Sequence, residues 1–87
     1  MYSAHTILVN PSGLQALPAA LLVRVASEYQ SGILLRKQKT QVDAKSLLGV
    51  LSLMARCGEE IFIQAEGEDE KLAVEALIQL IKEGLSS

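Results

Sequence analysis

The segment EIFIQAEG, residues 60–67, constrains the fold more than any other. Ile61, Ile63 and Ala65 alternate with Phe62, Gln64 and Glu66, a period of two that an extended strand sorts onto opposite faces. A strand with one apolar face needs a sheet to join and a layer to cover it. The remaining residues must supply both.

They do so in alternation. AHTILV, Ala4 to Val9, has the β-branched content of a strand, and NPSG, Asn10 to Gly13, ends it with turn residues. From Ala16 to about Gln30 the apolar positions Ala19, Leu22, Val23, Ala26 and Tyr29 follow helical spacing. ILLRK and TQVDA flank Gln38 and Lys39 and predict a hairpin. SLLGVLSLMARCG predicts a short helix opening on Ser46 as N-cap and closing at Gly58. After the strand at 60–67, Asp69 is placed to cap a last helix through Leu72, Ala76, Leu77, Leu80 and Ile81. The order β-α-β-β-α-β-α, with antiparallel strands and all helices on one side, makes an α/β (α+β) open-faced sandwich. With 87 residues it forms one domain burying roughly 60–65% of its unfolded surface, room for a single core.

The charge balance narrows the function. Eight basic against ten acidic residues, with one Phe and two Tyr, leave no basic stripe or stacking platform for direct nucleic-acid binding. The longest uncharged apolar run, Leu47 to Ala55, is about half of the ~20 residues of a membrane span. A single Cys and the absence of a signal segment point to a reducing, cytoplasmic setting.

GLQALPAALLV, VDAKSLLGVLSL and AEGEDEKLAVEAL stand at the three helices, and nearly end to end the chain resembles the HPr family. These are the histidine-containing phosphocarriers of the bacterial sugar phosphotransferase system. The resemblance implies a single domain over residues 1–87, with a four-stranded antiparallel sheet of order 1-4-2-3 and three helices on one face. The family's carrier motif is Gly-x-His-Ala-Arg-Pro, whose His accepts a phosphoryl group and whose Arg helps hold it. This chain has Gly13-Leu14-Gln15-Ala16-Leu17-Pro18. The amide nitrogen of Gln15 has its lone pair delocalised into the carbonyl and is no nucleophile, so phosphorelay is excluded. Gln15 either caps the helix or serves recognition.

Ser46, in Ala44-Lys45-Ser46-Leu47, corresponds to the serine that HPr kinase/phosphorylase modifies with ATP. Read alone, it is an ordinary N-cap; the whole-chain match favours the regulatory reading. The resemblance is to the Crh-type regulatory branch, which also has Gln at the carrier position. It implies a corepressor of a LacI-type catabolite control protein in carbon catabolite repression. That branch keeps the Arg where this chain has Leu17, which leaves the particular partner open. An interaction module of another pathway and a degenerate phosphocarrier are the alternatives; none of the three is an enzyme.

On the second helix Val50, Leu53, Met54 and Cys57 form one apolar stripe, leaving Leu47, Leu48 and Leu51 in surplus. With Gln15, Leu17 and Lys45 these make a partner-binding surface, and Leu14 joins Leu17 at the mouth of the first helix. His5 reads as a strand residue at the sheet surface without a charged neighbour in sequence, and Cys57 as a partly buried packing residue. The acidic cluster at Asp69 complements a helix dipole without a metal, and no cofactor is expected. On the uncovered face Ile7, Val9, Leu34 and Phe62 are expected to form one contiguous row, with Thr6 and Leu8 turned inward. Such a row calls for a cover, and a homodimer through the sheet face or the edge of the first strand is its simplest form.

Overall fold

The computed structural model describes residues 1–85. Strands β1 (Tyr2–Ile7), β2 (Gly32–Lys37), β3 (Thr40–Asp43) and β4 (Glu60–Glu66) alternate with helices α1 (Ala16–Ala26), α2 (Leu47–Ser52) and α3 (Glu70–Lys82) in the expected order. They form one sheet, β1-β4-β2-β3, in which every neighbouring pair is antiparallel. In the central strand β4, Ile61, Ile63 and Ala65 are fully buried while Phe62 and Gln64 point the other way. Ile33 and Leu35 on β2 share the inner face, and Leu8 joins them just beyond β1. Ala19, Leu22 and Ala26 of α1 and Ala73, Val74, Leu77 and Ile81 of α3 close the core from the helix side. The register expected for β1 holds: Thr6 is turned inward, Ile7 and Val9 outward.

The boundaries differ where distant groups pull on the chain. β1 begins at Tyr2 and ends at Ile7; beyond it Leu8 stays bonded to the chain entering β4, its N–H donating to the Glu59 carbonyl at 3.0 Å and its carbonyl accepting Gly58 N–H at 2.7 Å, a bulge that breaks the regular ladder. α1 stops at Ala26 instead of about Gln30. Ser27 Oγ donates back to the Val23 carbonyl at 2.8 Å, and the Glu28 and Tyr29 amides close shorter turns onto Val25 and Ala26. α2 is half the expected length. Met54 takes a left-handed backbone (φ 51°) directly after its C-cap, and the chain turns back so that Ala55 is buried against the β1–α1 loop. Gly58 (φ 91°) belongs to the turn before β4 and does not cap α2. The expected stripe is therefore only half buried: Val50 and Leu53 enter the core, whereas Met54 and Cys57 are exposed. On α3 the face is rotated, leaving Leu72 exposed.

Asp69 stands at the N-cap position of α3, but its carboxylate does not cap that helix. It accepts the Gln30 and Ser31 amides, each at 2.9 Å, and the hydroxyl of the buried Ser31, tying the β4–α3 turn to the segment that ends α1. The Ser31 hydroxyl, followed by the Gln30 amide, holds the Asp69 carboxyl below its ordinary range. A folded-state pKa depressed in this way contributes stability above the unfolded pKa, which is lost as pH falls toward the folded value. Asp69→Asn is therefore expected to melt below the parent at pH 7, the gap narrowing as pH drops below about 4. Thermal scans across pH check this, and a gap constant with pH would contradict it.

Candidate functional site

The turn that feeds α1 is built on backbone contacts. Gly13 N–H reaches the Asn10 carbonyl at 3.1 Å, and buried Asn10 returns an Nδ2 donor to the Gly13 carbonyl at 2.8 Å. Leu14 N–H then donates to the Ala55 carbonyl at 3.0 Å, so the turn is docked on the chain leaving α2. Leu14 is fully buried there, contrary to its expected place in the surface patch. An apolar side chain following a backbone bond into the core has no reason to turn outward.

Gln15 occupies the N-cap position of α1 in extended conformation (φ −125°, ψ 156°), exposed, with no capping bond from its side chain. Of its two readings, side-chain capping is thereby removed. Ala16 follows with φ 44°, in the left-handed region, so the chain bends sharply as the helix begins. Leu17 is 81% exposed. No imidazole or guanidinium stands at positions 15 and 17, so the turn presents an amide and an isobutyl group.

The second part of the site is the β3–α2 junction. Ser46 Oγ accepts Gly49 N–H at 3.1 Å, its own N–H donates to the Asp43 carbonyl at 3.1 Å, and its carbonyl accepts Val50 N–H at 2.9 Å. Ser46 is thus the N-cap expected, and it is only partly buried. Lys45 is pinned nearby, its amide on Asp43 Oδ1 at 2.9 Å and its Nζ on the Tyr29 carbonyl at 2.7 Å. Around this junction Leu47 is exposed, Leu48 is 81% exposed and Leu51 is half-buried against the core. Met54, expected inside, is 66% exposed. Since α1 and α2 pack together, Leu17, Leu47, Leu48 and Met54 present large apolar groups on adjoining elements.

His5 lies away from this site, on the open sheet face. Its Nδ1 is 2.8 Å from Glu60 Oε2 and its ring centroid 5.4 Å from that of Phe62, and the Arg36 guanidinium sits over the same Phe62 ring, 4.1 Å from its centroid. Glu60 is a partner the linear sequence hides, because it arrives from the neighbouring strand. The expected contiguous row is also corrected here. Phe62 pairs directly with His5 and Arg36, Ile7 with Glu60, and Leu34 with Gln64 and Asp43, so polar side chains separate the apolar ones. Ile7, Phe62 and Leu34 meet only along a diagonal of the sheet, with Val9 beyond the end of β1. Among the described residues no helix is long and apolar enough to cross a membrane.

A four-stranded antiparallel sheet carries three helices on one face, and the Gly13–Gln15 turn and Ser46 stand at the starts of two of them. Residues 2–83 match the family model for the phosphotransferase-system HPr component phosphorylation site. The chain is 40% identical over 75 residues to the phosphocarrier protein HPr of Treponema pallidum, covering 86% of this chain and 85% of that protein. It is 43% identical over 72 residues to the HPr-like protein Crh of Bacillus subtilis, covering 83% and 85%. Among solved structures, HPr-C-His from Thermoanaerobacter tengcongensis superposes with a TM-score of 0.96 at 38% identity, covering 100% of this chain and 98% of that one. Crystalline Bacillus subtilis Crh, a dimer formed by domain swapping, gives 0.77 at 37% identity over the whole of both chains. The chain belongs to the HPr family.

Proposed function

We propose that this chain is an HPr-like regulator without phosphocarrier activity, acting in the cytoplasm in carbon catabolite repression. HPr kinase/phosphorylase transfers a phosphoryl group from ATP to Ser46. The Ser46 oxygen forms a bond to the γ-phosphorus, the bond from that phosphorus to ADP breaks, and the hydroxyl proton passes to a base on the kinase. The phosphorylated face, with Gln15, Leu17, Lys45, Leu47, Leu48 and Leu51, then binds a LacI-type catabolite control protein as corepressor. The observation that carries this reading is the pairing of an exposed Gln15 at the carrier position with a Ser46 held at a helix start. The fold of the phosphocarrier is kept while its nucleophile is missing.

The same chain forms homodimers, a reading supported by the dimeric assembly of its relative Crh. Sedimentation velocity tests both statements. Alone at high micromolar concentration the chain is expected to sediment as a monomer–dimer mixture. With the purified regulator, only the Ser46-phosphorylated form is expected to shift the complex, by at least tenfold in affinity. Equal binding of both forms would overturn the corepressor reading, and a monomer at every concentration would overturn the dimer.

A further inference from the structure

We infer that Gly49 is a positioning residue for the modification of Ser46, a glycine because the flank of the Ser46 hydroxyl has to stay open. The inference rests on the reading of Ser46 proposed above. Gly49 lies inside α2 with ordinary helical backbone, so no left-handed torsion requires a glycine there. Inside a helix glycine is less stable than alanine, because it loses more backbone freedom and packs nothing. Its reason must lie in space. A Cβ at residue 49 would stand 3.3 Å from Ser46 Oγ and 3.4 Å from both Ser46 Cβ and Val42 Cβ. Two of these three neighbours belong to the serine itself.

The backbone of residue 49 meanwhile holds that hydroxyl, its N–H donating to Ser46 Oγ at 3.1 Å. One residue therefore grips the nucleophile with its amide and leaves it accessible by lacking a side chain. A bare hydroxyl tolerates a methyl at this distance with a shift of a few tenths of an ångström. A phosphoryl group has less room to do so. Its phosphorus and three outer oxygens replace one hydrogen and need a free staggered direction about the Cβ–Oγ bond. A methyl at residue 49, with Val42 beside it, closes that side. The incoming ATP γ-phosphorus in the transfer step meets the same obstruction.

The test compares the parent with Gly49→Ala, using the purified kinase and ATP, phosphate at Ser46 read by intact mass and melting temperature read by circular dichroism. The unmodified variant is expected to melt within a few degrees of the parent, while kcat/KM for Ser46 phosphorylation falls at least tenfold. When phosphorylation is driven to completion, the modified variant is expected to melt further below its unmodified form than the parent does. Phosphorylation of the variant at the parent's rate overturns the inference and leaves the role of Ser46 standing. A large fall in the melting temperature of the unmodified variant overturns it too, since Gly49 would then be a packing residue. A parent that takes no phosphate from ATP removes the reading of Ser46, and the inference with it.

Discussion

Gly13→Ala is expected to cost about 2–5 kcal/mol of stability, a large part of the roughly 5–15 kcal/mol that holds a domain together. Gly13 has φ 61°, which a residue with a Cβ adopts only at a cost. Torsion is the smaller part. An added Cβ would lie 2.3 Å from the Ala55 carbonyl oxygen and 2.9 Å from Arg56 Cα, both backbone atoms that no rotamer change can move. That same carbonyl receives Leu14 N–H, so relieving the clash breaks the bond that docks the turn before α1 on the chain leaving α2. Gly58→Ala separates the two contributions, since Gly58 has φ 91° but open space around its Cβ position. It is expected to lose only the torsional part, about 1–2 kcal/mol. Urea denaturation of both variants measures the difference, and equal losses would show that the close approach at Gly13 is not what fixes the turn.

Gln15→His is expected to turn a chain that takes no phosphate from phosphoenolpyruvate and the first phosphotransferase enzyme into a slow acceptor. The overall fold superposes on that of an HPr, and the backbone here is extended at Gln15, left-handed at Ala16 and helical from there on. An imidazole restores the nucleophilic nitrogen that an amide lacks. It does not restore a positive charge beside the phosphoryl group, because Leu17 remains. Adding Leu17→Arg supplies a charge-assisted hydrogen bond worth about 1.5–3 kcal/mol, roughly 10- to 150-fold in rate. Acid-labile phosphate, measured for parent, single and double variants, should therefore rise in that order. A single variant as fast as the double would mean that residue 17 plays no part in holding the phosphoryl group.

The turn before α1 and the start of α2 are readable in the sequence because their signals are local. Residues 13–18 and 44–47 each sit in one short stretch, and a half-buried strand such as β4 writes its orientation into every second residue. What was not readable depends on partners far along the chain. α2 ends early because Met54 bends and Ala55 is needed at the Gly13–Leu14 turn, so helical periodicity through Cys57 misassigned two side chains. Asp69 looked like a helix cap, yet its carboxylate serves amides 38 and 39 residues earlier. The pairing of His5 with Glu60 and the diagonal rather than direct placement of Ile7 and Leu34 beside Phe62 follow from strand register, which alternation alone does not fix across three strands.

In the proposed function this fold receives phosphate as a signal at Ser46 and does not pass it on from residue 15. The most direct measurement incubates one preparation with HPr kinase and ATP, and another with phosphoenolpyruvate and the first phosphotransferase enzyme, then reads the intact mass of each before and after acid treatment. The predicted result is one acid-stable phosphate in the ATP arm, absent from Ser46→Ala, and no phosphate in the other arm. Acid-labile phosphate on the parent in the phosphoenolpyruvate arm, or an ATP arm that is blank or unaffected by Ser46→Ala, would contradict it.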